Sequence, residues 1–488
     1  MTSLVLRGGQ VIDPATGRDE VTDLLVVDGR VAALGPDLVG DRVLDVAGLI
    51  VGPGFVDLHS HVHSVAGQRL QAMDGVTTAL DLEAGLMPVA KAYADAAAQG
   101  RPLHYGFSAS WGGARSKVLL GVDDDADIGT ALHALGDERW QQSSTPQQLD
   151  QWLGLLRSEI EAGALGIGVL LGYAPRSDPK EFLAVARLAA EAGLPTYTHV
   201  RELVEADPST PVDGSQEIAR AAAETGAHMH HCHVNSTSRR HIERVLATLE
   251  TSRAEGSRVT LETYPYGAGS TAIGAAFLAP ERLGSWGLRP ASLVMVTTGE
   301  RIADATRLRE LRVTEPGTPC IVEFLDESLA ADRALLQLAL AFPDAIVASD
   351  AMPVYFADGT RDSRLWPLPA GGSTHPRTTG TFAKSLRLMV RETATWSWLE
   401  AFRRCSYLPA RVLDFTPGAH GKGHLGVGAD ADIVVLDPGN LTDRATYTDP
   451  TRPSLGIRHL LVAGTAVVAD GEIVLDAYPG QPLRAQPA

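Results

Sequence analysis

Short apolar runs, broken by glycine, aspartate and proline, occupy both ends of the chain. Near the amino terminus they are SLVLRGGQVID, DLLVVDGRVAALG and RVLDVAGLIVGPG, and near the carboxyl terminus they are ADIVVLDPGN and IRHLLVAGTAVVADGEIVLD. Runs of this length and composition predict β-strands. We therefore expect residues 1–53 and 424–488 to pair into one small β-sandwich that both chain ends build.

The hydrophobic pattern changes between these two segments. Stretches with helical spacing, such as PKEFLAVARLAAEAG and DGSQEIARAAAETG, alternate with short apolar runs such as LPTYTHV, RVTLETYPY and DAIVASD. Repeated strand–helix units over such a length predict a (β/α)8 barrel, which we assign to residues 54–423. Residues 114–150, with GVDDDADIGT and QQSSTPQQ, are expected to form a long polar loop that could act as a lid.

Charge and cysteine content narrow the class of protein. The chain has 488 residues and a formal net charge of −17, which argues against nonspecific binding to nucleic acid or to an anionic membrane. No apolar run approaches the roughly 20 residues of a membrane span, and no signal-peptide pattern opens the chain. Three scattered cysteines are too few for a disulfide framework. We expect a cytoplasmic protein that acts on a small molecule, and the sequence leaves open a homo-oligomer.

Polar residues that close apolar runs are the candidates for chemistry, because the active groups of such barrels sit at the carboxyl ends of the strands. Imidazoles and carboxylates that converge there suit Zn²⁺ or a similar divalent metal, which lowers the pKa of a bound water to about 7. We expect one or two zinc ions per chain. The candidate residues are His59, His61, Glu83, His199, His231, His233 and Asp350.

Each candidate also has a structural explanation when it is taken alone. A single histidine such as His199 is more often a hydrogen-bonded core residue, and Asp350 before a turn resembles a helix N-cap. The joint occurrence of these residues, in order and at strand ends, favours the metal site. We expect His63, His228 and His230 to be structural.

Several motifs resemble those of one enzyme family. GFVDLHSHVH resembles the first-strand His-x-His signature of the amidohydrolase superfamily, and GHLGVGADADIVVLD resembles its return to the β-sandwich. GALGIGVLLGYAP, THVREL, ETYPYGAGST and STHPRTTGTFAKSL resemble segments of its D-aminoacylases, the N-acyl-D-amino-acid deacylases. The resemblance covers nearly the whole chain. It implies metal-dependent hydrolysis of an N-acyl-D-amino acid to a carboxylate and a free D-amino acid.

The resemblance also implies metal-binding roles for individual residues. His59 and His61 would hold the more exposed metal ion, and His199 and His233 the more buried one. We prefer His233 to His231 as the ligand after the sixth strand, because HVNST also resembles the His-x-x-Ser segment of related cyclic amidases.

Catalytic and substrate-binding roles follow from the same resemblance. Asp350 would be the general acid–base and could also touch a metal ion. Arg377, in HPR, would bind the α-carboxylate of the substrate, since a planar guanidinium donates two parallel hydrogen bonds to a carboxylate. Tyr264 and Ser270 match family positions that donate to the same carboxylate.

The chain departs from the family pattern at two of these positions. D-aminoacylases usually carry a cysteine ligand where LDLEAG offers Glu83, and LGIGVLL lacks the lysine that bridges two metals in many superfamily members. Glu83 is therefore the best candidate for a bridging ligand. Asn235 stands where the family commonly has lysine, so we expect altered recognition of the substrate side chain. The stretch AIGAAFLAPER predicts an apolar or small side-chain pocket.

Two other functions stay open at this point. A related amidohydrolase could act on a cyclic amide or on the carboxyl end of a dipeptide or peptide, since Arg377 would serve a peptide carboxylate equally well. A non-catalytic barrel that serves as a scaffold is a different class of protein. The retained set of ligands together with Asp350 argues against a scaffold.

Overall fold

A computed structural model describes residues 3–123, 125–356 and 364–486 of the chain. The chain divides into two compact units. The first contains Met1–Leu80, Ala96–Tyr105 and Ile346–Leu483, and the second contains Asp81–Asp95, Gly106–Ala345 and Arg484–Ala488. Within the described ranges, none of the helices combines the length and the apolar character needed to cross a bilayer.

Strands from both chain ends form one nine-stranded sheet within the first unit. Ile50–Pro53 joins the two ends, because it pairs in parallel with Ser3–Asp13 and antiparallel with Ile433–Leu436. The apolar runs at both termini therefore build one β-layer, and the domain boundaries near residues 53 and 423 stay a prediction. The strands of this sheet are Ser3–Asp13, Arg18–Val27, Arg30–Gly35, Arg42–Asp45, Ile50–Pro53, Ile433–Leu436, Ile457–Val462, Thr465–Ala469 and Glu472–Ile473.

A second sheet has eight parallel strands that follow one another in chain order, as the predicted (β/α)8 barrel requires. The edges meet through a parallel bridge between Ser60 and Ala351, just beyond the first and eighth strands, so the barrel is nearly closed. The predicted fold class is confirmed. From first to eighth, the strands are Phe55–Asp57, Val76–Leu86, His104–Ser110, Ile167–Leu170, Thr196–His199, Met229–His231, Val259–Thr263 and Ile346–Val347.

The helices begin where the sequence supplies capping residues. Asp178 caps Pro179–Glu191 and forms a capping box with Glu181, while Pro179 occupies the first turn, where it costs no backbone hydrogen bond. The α-helices are Val65–Ala72, Val89–Gln99, Trp111–Arg115, Ile128–Ala134, Glu138–Gln141, Pro146–Glu161, Pro179–Glu191, Gly214–Thr225, Val234–Ser238, Ile242–Ala254, Ala305–Thr314, Ala330–Ala341, Arg377–Leu386, Trp398–Phe402 and Leu408–Val412.

The prediction of a long polar loop at residues 114–150 is wrong. Helical turns cover much of this segment, although residue 124 lies outside the described residues. Arg115 holds the segment together from inside. It is fully buried, pairs with Glu181 at 2.7 Å and donates to the carbonyl oxygens of Trp140 and Gln142 at 2.7 and 2.6 Å. The buried guanidinium of Arg115 thus anchors helical turns whose polar residues are largely exposed, and composition alone does not distinguish such turns from a solvated loop.

A small antiparallel sheet follows the seventh barrel strand within the second unit. Its strands are Ala268–Ala272, Leu293–Met295 and Pro319–Glu323. Ser270 lies on the first of these strands, opposite Ile321. The GAGST part of the sequence is therefore an extended edge that leaves the barrel directly after strand seven.

Candidate functional site

Two imidazole rings converge on one carboxylate oxygen of Glu83 in the second unit. Glu83 Oε1 lies 2.7 Å from Nε2 of His233 and 3.0 Å from Nδ1 of His199. Glu83 and His233 are buried, and His199 is partly buried. The three ligand atoms lie within 4.8 Å of one another, and carboxylate oxygen with imidazole nitrogen is a donor set that zinc binds. These residues therefore fit a metal ion.

Neighbouring groups fix the orientation of the two rings. Ser236 Oγ lies 2.9 Å from Nδ1 of His233, which leaves Nε2 of that ring directed at Glu83. Tyr173 packs against the ring of His199, with centroids 4.6 Å apart. A second polar contact that orients the opposite nitrogen is typical of histidines that bind metals. Ser236 was not among the predicted site residues, although the HVNST motif contains it.

His231 does not belong to this cluster. Its Nδ1 lies 3.1 Å from the carbonyl oxygen of Cys232, and burial lowers the pKa of its ring to about 3. His233 instead stands just after the sixth strand, with a left-handed φ of 34° that turns its side chain away from the strand direction. The structure therefore brings His233, and not His231, together with Glu83.

A second cluster lies in the first unit. Nε2 of His59 lies 3.2 Å from Nε2 of His61, and both rings are buried. Asp350 Oδ1 lies 3.4 Å from Nε2 of His59 and 3.8 Å from Nε2 of His61. The same oxygen accepts from Nη2 of Arg377 at 2.8 Å. Two imidazoles, one carboxylate and one guanidinium thus share a small buried volume.

Asp57 positions this second cluster through hydrogen bonds at the ends of the strands that carry it. Its carboxylate accepts from the backbone nitrogens of His59 and Ser349, at 3.3 and 3.0 Å, and from Nε2 of Gln71 at 3.0 Å. It therefore ties the end of the first strand to the end of the eighth, immediately before Asp350. Asp57 was missed by the sequence analysis, although an acid two residues before a candidate ligand was the available signal.

The predicted substrate-binding residues lie beside both clusters. In the second unit, Tyr264 is buried with its ring centroid 6.4 Å from that of His233, and Ser270 is partly buried. In the first unit, Arg377 is 1% exposed and begins the helix Arg377–Leu386, paired with Asp350. Direct contacts of these residues with a substrate stay predictions.

The amide of Asn235 is engaged by the turn that follows the seventh strand. Its Oδ1 accepts from Oγ1 of Thr263 at 3.0 Å and from the backbone nitrogen of Tyr264 at 3.3 Å. Its Nδ2 donates to the carbonyl oxygen of Tyr266 at 3.4 Å. Asn235 therefore holds the Tyr264 turn in place, and a contact with the substrate side chain stays a prediction for it.

Replacing Asn235 by alanine should lower the free energy of unfolding by about 1–3 kcal/mol, because buried groups of the turn lose their hydrogen-bond partner. Chemical denaturation measures this change. Asn440→Ala is the control, since the side chain of Asn440 donates to Asp437 within an exposed loop. Equal losses in the two variants would contradict the assigned role of Asn235.

The histidines expected to be structural have different partners. His230 lies 2.8 Å from Oγ1 of Thr260 and 3.0 Å from Oε2 of Glu262, and it is fully buried. His228 lies 2.9 Å from the same Thr260 oxygen, and burial lowers the pKa of its ring to about 3. The structural role of His63 stays a prediction.

Comparison with known proteins agrees with this geometry. The model of the amidohydrolase family matches residues 42–468. An N-acyl-D-glutamate deacylase of Alcaligenes xylosoxydans xylosoxydans is 30% identical, over 95% of this chain and 93% of that protein. A D-aminoacylase of the same organism is 28% identical, over 95% of this chain and 94% of that protein.

Solved structures resemble the chain over its whole length. The crystal structure of a D-aminoacylase aligns with a TM-score of 0.78 at 21% identity, covering 99% of this chain and 100% of that one. An N-acyl-D-glutamate deacylase from Bordetella bronchiseptica aligns with a TM-score of 0.76 at 25% identity, with the same coverage. With the family match over most of its length, the chain belongs to the amidohydrolase family.

Proposed function

We propose that the protein hydrolyses the amide bond of N-acyl-D-amino acids and releases a carboxylate and a free D-amino acid. The observation that carries this proposal is the convergence of His199 and His233 on one oxygen of Glu83 in a buried cluster. The two relatives are named as an N-acyl-D-glutamate deacylase and a D-aminoacylase, which supports the same substrate class for this chain.

We propose that the residues of both clusters bind zinc. The Bordetella structure is described as a complex with zinc and a phosphonate mimic of the tetrahedral intermediate, and a D-aminoacylase structure is described as having a binuclear metal center. When bound, zinc polarises a carbonyl oxygen and makes water acidic enough to attack at neutral pH. The proposed ligands are His59, His61, Glu83, His199, His233 and Asp350.

The other proposed roles are proton transfer, binding of the substrate carboxylate and bridging of the metal ions. Asp350 accepts the proton of the attacking water and delivers it to the leaving nitrogen, as a general base that becomes a general acid. Tyr264, Ser270 and Arg377 bind the α-carboxylate, which orients the scissile amide. Glu83, with two carboxylate oxygens, is suited to bridge two metal ions.

Replacing His199 by alanine should remove about half of the bound metal, because one of the two proposed metal positions loses a ligand. Metal content per chain, measured on the purified protein, tests this. His228→Ala is the matched control, since His228 precedes the sixth strand and bonds to Thr260. Full metal content in His199→Ala would exclude His199 as a ligand.

A substrate screen tests the proposed function itself. N-acetyl and N-formyl derivatives of D- and L-amino acids are assayed beside hydantoins and dipeptides, with the metal content measured in parallel. We expect turnover of the D-derivatives and little turnover of the others. Preferred hydrolysis of a hydantoin or a dipeptide would replace the proposal with a cyclic-amide hydrolase or a dipeptidase.

We also propose a cytoplasmic location. All three cysteines, Cys232, Cys320 and Cys405, are buried free thiols. Reduced thiols of this kind are typical of proteins from a reducing compartment. Fractionation of the cells that make the protein, followed by immunodetection, would test the location.

A further inference from the structure

Arg239 carries a buried positive charge after the sixth barrel strand. It follows the short helix Val234–Ser238, only 6% of its surface is exposed, and burial lowers the pKa of its guanidinium to about 9. Arg239 is therefore still charged at neutral pH. Its Nη1 has no hydrogen-bond partner among the residues that the structure describes. An unsatisfied buried donor on a charged group is costly, so such a group calls for a partner.

A ladder of aromatic rings connects Arg239 to the metal-binding histidine. The guanidinium carbon of Arg239 lies 3.3 Å from the ring centroid of Trp286. Trp286 stacks on Phe277 at 4.8 Å with 10° between the planes, and Phe277 lies 6.2 Å from the ring of His199 at 14°. The loops after the fifth, sixth and seventh strands contribute these residues, and such loops form the catalytic face of a barrel.

Nearby acids leave Arg239 without a hydrogen-bonded counter-ion. Arg282 pairs with Asp207 at 2.7 Å and with Oε2 of Glu202 at a shorter distance. Burial raises the pKa of Glu202 to about 7, and Trp286 as well as Arg282 shares its carboxyl group. The interaction of Glu202 with Arg239 is electrostatic, with no hydrogen bond between the two side chains among the described residues.

The backbone of Arg239 is strained as well. Its φ of 49° and ψ of −120° fall in a region that favours glycine. Holding a side chain in this region costs free energy, and strain of this kind clusters at ligand-binding sites. An arginine in this position is therefore better explained by a bound ligand than by the fold.

We propose that Arg239, backed by Trp286, binds a second carboxylate of the substrate, several bonds away from the scissile amide. The inference rests on the proposed function and narrows its substrate class. Two ring layers separate Arg239 from His199, which favours a carboxylate at the end of an extended chain. That chain is either the side chain of the D-amino acid or a dicarboxylic acyl group. On this proposal the far end of the pocket would be charged, whereas AIGAAFLAPER predicts an apolar or small pocket, and that prediction stays untested.

Matched pairs of substrates test this subsite. The side-chain pair is N-acetyl-D-glutamate and N-acetyl-D-glutamine, and the acyl pair is N-succinyl-D-alanine and N-butyryl-D-alanine. We expect the wild-type protein to prefer the charged member of one pair, and that pair identifies the source of the carboxylate. In Arg239→Met the preference, as a ratio of kcat/KM, should fall about 30-fold or more, the effect of removing one partner of a buried charge pair.

Two further variants control this result. Arg239→Gly removes the guanidinium at a backbone position that glycine favours, so it should fold even if Arg239→Met does not. Arg253→Met is the matched control, because Arg253 also covers an aromatic ring, that of Phe342 at 5.4 Å. Its Nε donates to the carbonyl oxygen of Val259 at the start of the seventh strand, which is the end of the barrel opposite the catalytic face. Arg253→Met should keep the wild-type preference.

The substrate preferences and the binding measurements distinguish failure of the subsite from failure of the proposed function. If neither pair shows a preference for the charged member, or if the preference survives in both Arg239 variants, the proposal is overturned. If no N-acyl-D-amino acid is hydrolysed at all, the proposed function fails separately. In that case calorimetry with glutarate still decides: binding by the wild-type protein that Arg239→Gly loses supports the anion subsite, and any other result excludes it.

Discussion

Replacing Asp350 by asparagine should lower kcat by about 10²–10⁴-fold, the usual contribution of a general acid–base, while the bound metal stays nearly unchanged. The reason is that the amide of asparagine has the same shape and keeps an oxygen that can contact a metal ion, but it cannot accept and return a proton at neutral pH. Asp350 Oδ1 lies 3.4 Å from Nε2 of His59 and 2.8 Å from Nη2 of Arg377, beside the proposed metal ligands. Steady-state kinetics and metal content on the same preparation measure both quantities.

The left-handed backbone conformation of Asp350 favours asparagine over alanine as the replacement. Asp350 has a φ of 49°, and asparagine tolerates the left-handed region, whereas alanine would add strain of roughly 1–2 kcal/mol. Asp344→Asn is a matched control, because Asp344 is an exposed aspartate with a φ of 58°. A near-normal rate in Asp350→Asn would leave the proposed reaction without its base.

The barrel and the identity of the strand-end residues could be predicted from the sequence. Short apolar runs that alternate with helical stretches specify a parallel sheet, and the carboxyl ends of its strands are where His199 and His233 occur. Glu83 was predicted from the same rule, but its strand continues to Leu86, so Glu83 lies inside the strand. The rule found the residue because its side chain alternates onto the same face, not because the strand stops there.

Residues that depend on contacts between loops could not be predicted in this way. Arg239 and Arg240 are adjacent in sequence, and a pair of arginines is normally solvated, yet Arg239 is buried under Trp286 from a different loop. Arg115 is likewise buried, through contacts with Glu181 and with the carbonyl oxygens of Trp140 and Gln142. In both cases a charged side chain is buried by residues distant in sequence, which local periodicity does not encode.

The pairing of Arg377 with Asp350 decides how the last prediction must be designed. Nη2 of Arg377 donates to Oδ1 of Asp350 at 2.8 Å, and both groups are buried. Removing the guanidinium therefore has two effects: it removes the proposed partner of the substrate carboxylate, and it removes a contact of Asp350, the proposed acid–base. The two effects change different kinetic constants, so one set of measurements can separate them.

We expect Arg377→Met to raise KM strongly for free N-acyl-D-amino acids, by the equivalent of about 2–5 kcal/mol, as for one partner of a buried charge pair. For substrates whose α-carboxylate is amidated, the change in KM should nearly vanish, because no charge pair forms with either enzyme. Arg377→Lys keeps the positive charge but loses the planar guanidinium that donates two parallel hydrogen bonds. Its KM for free N-acyl-D-amino acids should therefore lie between those of the wild-type protein and Arg377→Met.

The second effect predicts a different pattern. If Arg377 serves mainly to position Asp350, Arg377→Met should lower kcat to the same extent for free and amidated substrates, with little change in KM. That outcome would assign Arg377 to the acid–base and not to the substrate. Because a free α-carboxylate distinguishes N-acyl amino acids from cyclic amides, equal losses on both substrate types would favour an amidohydrolase whose substrate has no free α-carboxylate.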